Sequence, residues 1–170
     1  MPVENLEDVP DGAHLLTRSH GSAPEVFSYC KKHKIKVVDA TCPYVSVIHD
    51  IVSEESKTRQ IIIAGKKGHP EVIGTAGHCK NAVIIETVAE AEALVIDKPS
   101  CLVAQTTFSE DTFDKIEAAL KGRGDIVVYK TICQITKDRQ NEAKQLSETC
   151  DVMLVIGDKS SSNTNELYNI

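Results

Sequence analysis

Two cysteines stand in similar surroundings in this 170-residue chain. Cys42 follows the strand-like run VVDAT, and Cys133 follows the similar run VVYKTI. Thiolates that meet from separate strand ends are ligands that suit zinc or an iron–sulfur cluster. Two thiolates complete neither site, and a single free cysteine is more often a small buried apolar residue. Two interpretations of this pair therefore remain: ligands of a metal centre, or small residues buried in the core.

Two histidines and a glutamate are candidates for anion binding and proton transfer. His20 and His69 each lie next to a glycine, where the backbone can approach a ligand closely. Glu71 comes two residues after His69 and is a candidate proton donor or acceptor, provided that its pocket is dry enough to raise its pKa. Thr106 follows another strand-like run and is a weak signal by itself.

A third feature is the run Ser161, Ser162 and Asn163 near the end of the chain. Three small hydrogen-bond donors that open a helix could be no more than an N-cap cluster. They could also form an anion site, because free N–H groups and the helix dipole favour negative charge. Such a site needs no lysine or arginine and would suit a diphosphate held by neutral donors.

The elements that must position these residues alternate between strand and helix. The predicted strands are HLLTRS, IKVVDA, RQIIIAG, AVIIET, SCLVAQ, DIVVYK and DVMLVIG. The predicted helices are APEVFSYCKKHK, PYVSVIHDIVSEESK, HPEVIGTAGHCK, VAEAEALV, SEDTFDKIEAALKG and QITKDRQNEAKQLSE. Short strands rich in Val and Ile, without polar alternation, are typical of parallel sheets covered on both faces. The sequence therefore predicts an α/β protein with short parallel sheets and flanking helices.

The candidate residues collect after the predicted strands, where open parallel sheets bind ligands. Four other cysteines are expected to be structural, because they fall inside predicted elements or at ends without other candidate side chains: Cys30, Cys79, Cys101 and Cys150. Four other histidines, His14, His33, His49 and His78, are expected to be surface or core residues.

Composition excludes several classes of protein. A net charge of −6 argues against a nucleic-acid surface, which needs clustered lysine and arginine. No apolar run is long enough to span a membrane, and the acidic start MPVENLEDVPDG lacks the apolar core of a secretory signal. Six scattered cysteines without such a signal indicate reduced thiols and a cytoplasmic protein.

Six segments together resemble one known family. They are RSHG, DATCPYV, KKGHPEVIGTAG, QTTFSED, ICQITKDRQ and VIGDKSSSNTNEL, in family order and with family-like spacing over almost the whole chain. The resemblance is to the 4-hydroxy-3-methylbut-2-enyl diphosphate reductases, the LytB-type enzymes of the non-mevalonate isoprenoid pathway. It implies three similar α/β subdomains in a pseudo-threefold arrangement, each supplying one cysteine to a central [4Fe-4S] cluster.

The resemblance also implies boundaries and roles. Residues 1–41 would complete a first subdomain, 42–131 would form the second, and 132–170 would begin a truncated third. Cys42 and Cys133 match cluster ligands, Glu71 matches the proton donor, and Thr106 matches the hydroxyl that relays protons. The matches to substrate-binding positions are His20, His69, Thr106, Ser161, Ser162 and Asn163, and His69 is also placed among the catalytic residues.

The implied reaction removes the substrate hydroxyl as water and gives isopentenyl and dimethylallyl diphosphate. An electron donor such as ferredoxin or flavodoxin is implied, without a membrane or nucleic acid. The family's first cluster cysteine, in a glycine-rich segment, has no match in this chain, and neither do the family's final elements. These 170 residues are therefore expected to be the middle of a longer protein and not to hold an intact cluster or turn over alone.

Two rival functions remain open from the residues alone. Cys42 could be the nucleophile of a thiol hydrolase with His69 as its base. The start of the helix at residues 161–163 could instead serve a non-catalytic phosphosugar- or nucleotide-binding module.

Overall fold

The computed structural model describes residue 3 and residues 5–170. A short 3-10 helix spans Leu6–Asp8. The strands are β1 (His14–Leu16), β2 (Lys36–Val38), β3 (Gln60–Ala64), β4 (Ala82–Ile85), β5 (Ser100–Ala104) and β6 (Ile126–Val128). The helices are α1 (Pro24–Lys32), α2 (Pro43–Glu55), α3 (Pro70–Ala76), α4 (Val88–Ala93), α5 (Glu110–Leu120), α6 (Gln134–Ser147) and α7 (Ser162–Tyr168). No helix in this described part is long and apolar enough to cross a membrane.

The strands form two parallel sheets. β1 pairs with β2, and the larger sheet has the strand order β4-β3-β5-β6. In the larger sheet Ile62 lies beside Leu102, and every ladder runs parallel. The α/β class with short parallel sheets and flanking helices, predicted from the sequence, is confirmed.

The two central strands are buried on both faces. Ile62 and Leu102 pack with Phe113 and Ile116 of α5 in one cluster. Their neighbours Ile61 and Val103 pack in another cluster with residues of α2 and α3. Because side chains alternate between faces along a strand, an unbroken apolar run is what a sheet between two helix layers requires.

Local sequence signals set where the helices begin. Pro24, Pro43 and Pro70 are the first residues of α1, α2 and α3, a position where the missing N–H costs nothing. Ser109 caps α5 by accepting the N–H of Thr112 at 3.2 Å, the usual role of a serine at this position.

The seventh predicted strand, DVMLVIG, is wrong. Residues 151–157 form no strand, and no strand in the described residues pairs with them. The side chains of Val152, Leu154 and Ile156 are 77%, 82% and 94% exposed. An alternating apolar pattern becomes a strand only where a neighbour completes its hydrogen bonds, and the described part of the chain offers none.

The four cysteines expected to be structural differ in burial. Cys30 and Cys101 are buried, and burial raises the pKa of the Cys101 thiol to about 12, which keeps it protonated. Cys79 is half-buried, whereas Cys150 is exposed and therefore does not fill a core.

Met1, Pro2 and Glu4 lie outside the described residues, so the first positions of the predicted subdomain 1–41 are not part of the structure.

Candidate functional site

A cavity of about 460 Å³ lies at the carboxyl ends of β1, β3 and β5. It brings together five of the residues singled out from the sequence, namely His20, His69, Ser161, Ser162 and Asn163. Arg18, Thr107 and Ser160 also line it. The lining comes from four separate segments of the chain, so the fold builds this cavity from distant pieces. Its position agrees with the rule that open parallel sheets bind ligands beyond their strand ends.

His69 is held in one orientation and one tautomer. It caps α3, and its Nδ1 accepts the backbone N–H of Glu71 at 3.2 Å. A backbone N–H can only donate, so Nδ1 carries no proton and Nε2 is the donor of the neutral ring. Burial first, and then the neighbouring His20, lower the pKa of His69. His69 is thus a neutral donor at the cavity wall near pH 7.

His20 stands edge-on to His69, with the ring centroids 5.4 Å apart. Its Nδ1 is buried and has no hydrogen-bond partner among the described residues. A buried polar atom without a partner costs free energy unless a ligand or water satisfies it. This ring nitrogen without a partner belongs to a residue that lines the cavity.

The loop that carries His20 is clamped by α2 and the end of α3. Gly21 has a φ of 78°, and a Cβ there would lie 2.4 Å from His49 Cε1. The His78 ring stacks on His49 with centroids 4.0 Å apart, and its Nε2 lies 3.2 Å from the Ser22 carbonyl oxygen. The close approach requires glycine at position 21, and it fixes the backbone next to His20.

His49 makes the stability of the fold depend on pH. Burial, with help from His78, lowers its pKa from 6.5 to about 4, against the opposing effect of Asp50 and Asp39. The unfolded chain therefore binds more protons than the folded chain between these values, and stability falls as pH drops from 6.5 towards 4.

We expect His49→Phe, which keeps an aromatic ring against His78, to remove this contribution of at most about 1.4 kcal/mol per pH unit. Urea unfolding at several pH values measures it, with exposed His14→Gln as the matched control. If the free energy of unfolding of His49→Phe still fell with decreasing pH as steeply as that of the wild type, His49 would not be the source of this pH dependence.

Glu71 and Thr106 form a buried pair behind the cavity wall. Glu71 is only 2% exposed. Its Oε2 accepts the Thr106 hydroxyl at 2.8 Å, and its Oε1 accepts the Thr106 N–H at 2.5 Å. Burial raises the pKa of Glu71, and the two hydrogen bonds from Thr106 reduce that rise. The carboxyl is thus placed to exchange a proton with the Thr106 hydroxyl.

Cys42 is the N-cap residue of α2, as its position before Pro43 suggests. Its N–H donates to the Ser19 carbonyl oxygen at 3.0 Å, which ties it to the residue before His20. The turn before it is fixed by Asp39, whose Oδ1 accepts the hydroxyls of Thr41 at 2.6 Å and Thr17 at 2.8 Å.

Cys133 occupies the equivalent position at the start of α6. Its N–H donates to the Thr106 carbonyl oxygen at 3.0 Å, so the same residue contacts both Cys133 and Glu71. Its sulfur lies 3.0 Å from the Thr136 hydroxyl and accepts the Thr136 N–H at 3.4 Å. The two cysteines are therefore alike in their helix position and in their backbone bond to a neighbouring strand-end loop.

Cysteine sulfurs are the donor type that an iron–sulfur cluster uses. Two thiolates are too few, because such a cluster takes more than two. Among residues 3 and 5–170 no group of three His, Cys, Asp or Glu side chains is placed to hold a metal ion. The chain thus fits a cluster in ligand chemistry but does not complete one.

A larger cavity of about 900 Å³ lies elsewhere. It is lined by residues at the amino ends of the strands, such as Arg59, Gln60 and Lys98, and by none of the predicted site residues. Its size alone does not make it the functional site, since the convergent polar groups lie in the smaller cavity.

Comparison with known proteins decides the family. The family model described as "LytB protein" matches residues 2–170. This chain belongs to the LytB family. The resemblance identified from six sequence segments is thereby confirmed.

Relatives of this LytB chain carry the name "4-hydroxy-3-methylbut-2-enyl diphosphate reductase". The relative from Clostridioides difficile is 41% identical over 173 residues, covering 99% of this chain and 62% of the relative. The relative from Caldanaerobacter subterraneus is 41% identical over 170 residues, covering 98% of this chain and 59% of the relative. The LytB chain therefore spans about 60% of the length of these curated relatives.

Solved structures show the same fold. The structure of the E-1-hydroxy-2-methyl-but-2-enyl-4-diphosphate reductase from Plasmodium falciparum matches with a TM-score of 0.89 and 37% identity. The match covers 97% of this LytB chain and 54% of that protein. A second structure, of the (E)-4-hydroxy-3-methyl-but-2-enyl diphosphate reductase described as the terminal enzyme of the non-mevalonate pathway, matches with a TM-score of 0.73 and 34% identity. This match covers 98% of this LytB chain and 61% of that protein.

Some residues of the LytB cavity were not selected from the sequence. Arg18, Thr107 and Ser160 line it directly, and Gln105 lies behind it with 2% exposure. Gln105 and Thr107 flank Thr106 after β5, so their position at a strand end was the available signal. Arg18 carried a weaker signal, two residues before His20.

Proposed function

We propose that the whole protein containing this LytB chain reduces 4-hydroxy-3-methylbut-2-enyl diphosphate to isopentenyl and dimethylallyl diphosphate. The observation that carries the proposal is the buried Glu71 carboxyl, bonded to Thr106 behind a cavity lined by neutral donors. The names of relatives about 40% identical to this chain support the same activity.

The diphosphate would bind in the cavity at the carboxyl strand ends. His20, His69, Ser161, Ser162 and Asn163 supply donors there without a lysine among them. Arg18 adds the one permanent positive charge among the described lining residues, and it is exposed. Many neutral donors with one cation suit a diphosphate that must enter and leave in each turnover.

Cys42 and Cys133 would hold a [4Fe-4S] cluster together with a third thiolate from outside these 170 residues. When bound, the cluster supplies electrons and a Lewis-acidic iron for the substrate hydroxyl. The backbone bonds of Cys42 to Ser19 and of Cys133 to Thr106 support this role, because Ser19 precedes His20 and Thr106 is the partner of Glu71.

Loss of the hydroxyl as water consumes two electrons and two protons, and Glu71 is the proposed source of protons. With Glu71 protonated, its O–H donates to Thr106 Oγ1, and the Thr106 hydroxyl can then donate onward to substrate. With Glu71 ionised, the Thr106 hydroxyl points back to the carboxylate across 2.8 Å. Thr106 therefore acts as a relay whose direction follows the protonation of Glu71.

The electron donor would be a small redox protein such as ferredoxin or flavodoxin, and the protein would work in the cytoplasm without nucleic acid or membrane. The proposed subdomains are 1–41, 42–131 and 132–170. The small sheet lies in the first of these ranges and the large sheet in the second.

The thiol hydrolase interpretation is weakened by the His69 ring. Its Nδ1 already accepts the Glu71 N–H, and its Nε2 carries the proton, so the ring has no free lone pair to activate Cys42. The non-catalytic binding module leaves the Glu71–Thr106 pair and both cysteines without a role.

The direct test is to express the complete gene without oxygen and to measure iron, sulfide and reductase activity with a reduced viologen as electron source. We expect bound iron and sulfide together with conversion of the allylic diphosphate. A folded, colourless and iron-free product would overturn the cluster part of the proposal.

A further inference from the structure

Gln105 joins three separate segments beneath the cavity. Its Oε1 accepts the backbone N–H of Lys66 at 3.0 Å. Its Nε2 donates to the hydroxyl oxygens of Thr107 at 2.7 Å and Ser162 at 3.2 Å. Gly65 allows this packing, because a Cβ there would lie 2.9 Å from Gln105 Cβ.

The orientation of the Gln105 amide follows from these partners. The Lys66 N–H can only donate, so the oxygen of the amide must face it, and the NH₂ group must face the two hydroxyls. The NH₂ group has two hydrogens and accepts nothing, so it uses one hydrogen on each hydroxyl. Neither hydroxyl can therefore turn its own hydrogen back towards Gln105.

Thr107 and Ser162 both line the cavity. With a lone pair of each hydroxyl occupied by Gln105, the hydroxyl hydrogens are left to point elsewhere. Ser161 shows the same pattern, since its Oγ accepts the Thr164 N–H at 3.4 Å. Diphosphate oxygens only accept hydrogen bonds, so hydroxyls that present hydrogens bind them and hydroxyls that present lone pairs repel them.

We propose that Gln105 is a positioning residue that turns the hydroxyl hydrogens of Thr107 and Ser162 into the cavity as donors for a diphosphate. The inference rests on the proposed function only for the identity of this anion. Gln105 itself does not touch the ligand. It selects for an anion through two hydroxyls that would otherwise accept or donate with equal ease.

The Thr107 hydroxyl gives the first test, made in the whole protein with inorganic diphosphate as the probe and titration calorimetry as the measurement. We expect Thr107→Val to weaken diphosphate binding roughly 10-fold or more, because a hydrogen bond to a charged group is lost. Thr107→Ser keeps the hydroxyl and is the matched control, so it should bind like the wild type. Equal affinities of the Val and Ser variants would overturn the proposal.

Gln105→Glu gives the second test and is nearly isosteric. An ionised carboxylate donates to neither hydroxyl, and a protonated one donates to only one, so at least one hydroxyl hydrogen turns inward. We expect roughly 10- to 100-fold weaker diphosphate binding and a raised KM with a smaller change in kcat. In the Gln105→Glu background, Thr107→Val should then cost much less than in the wild type.

Fully additive losses in that double-mutant cycle would mean that the new charge, and not hydroxyl direction, weakens binding, and would contradict the proposal. Circular dichroism and iron content report whether Gln105→Glu folds. Should it fail to fold, equal affinities of Thr107→Val and Thr107→Ser would still overturn the proposal.

The binding assay is independent of turnover. A whole protein that binds diphosphate with this mutational pattern but shows no reductase activity would refute the proposed function and support the role of Gln105. Normal reductase activity, together with equal diphosphate affinities of Thr107→Val and Thr107→Ser, would support the proposed function and refute the role of Gln105.

Discussion

Replacing Glu71 with glutamine is expected to lower turnover of the whole protein by roughly 100- to 10,000-fold, the usual contribution of a general acid. Glutamine keeps the shape and can still accept the Thr106 N–H, so diphosphate binding should change little. The glutamine side chain cannot deliver a proton, so the Thr106 hydroxyl can no longer regain from it a proton that it has passed on. Steady-state kinetics with a reduced viologen and calorimetry with inorganic diphosphate measure the two quantities.

The matched control is Glu92→Gln, a change at an exposed position of α4. Its turnover should equal that of the wild type. If Glu71→Gln also turned over within about threefold of the wild type, Glu71 would lose its role as proton donor.

The same substitution has a signature in stability. Burial raises the pKa of folded Glu71 above 4.5. The stability that its protonated form contributes is therefore fully present below pH 4.5 and is lost as pH rises through the folded pKa. In Glu71→Gln this loss of stability with rising pH should disappear. Denaturant unfolding at a series of pH values measures it.

Replacing Cys133 with serine is expected to remove most of the iron and sulfide from the anaerobically prepared whole protein, together with its reductase activity. A serine oxygen is a harder and more basic ligand than a thiolate and does not suit an iron–sulfur cluster. Cys42→Ser should have the same effect, because the two cysteines cap helices α2 and α6 in equivalent positions. Metal analysis, sulfide analysis and visible absorption measure the loss.

Cys150→Ser is the matched control, because this cysteine is exposed and its sulfur lies beside the hydroxyl of the adjacent Thr149. The Cys133 variant also separates the rival functions. A thiol hydrolase would keep its activity, and a binding module would keep its ligand. Retention of a full complement of iron in Cys133→Ser would exclude this cysteine as a ligand.

Much of the fold follows from patterns that are local in the sequence. The run Ile61-Ile62-Ile63 predicts a strand buried on both faces, and the structure places its side chains in two separate clusters. Ser109 marks a helix start through its side-chain cap, and the three prolines mark helix starts through their missing N–H. These features needed no knowledge of distant residues.

What the sequence did not predict depends on distant partners. Residues 151–157 have the pattern of a strand, yet a strand exists only where another lies beside it. Gln105 looked like an ordinary polar residue after β5. Its proposed role depends on hydrogen bonds with Lys66 and Ser162, which lie far from it in the chain. His49 likewise gains its lowered pKa from burial under a loop of another segment.

The parallel pairing of every strand has a consequence for how quickly the chain folds. Ile61 pairs with Ala82, which lies 21 positions later, and Gln60 pairs with Ser100, which lies 40 positions later. The described strands include no antiparallel hairpin that could form first as a local nucleus. Each pair of strands can form only after the intervening chain has crossed over the sheet. Doubling the number of residues in the loop that is closed adds about 0.6 kcal/mol of entropy cost. The time to reach the native state is therefore set by non-local encounters, and during that time the Ile-rich strand edges stay open to other chains.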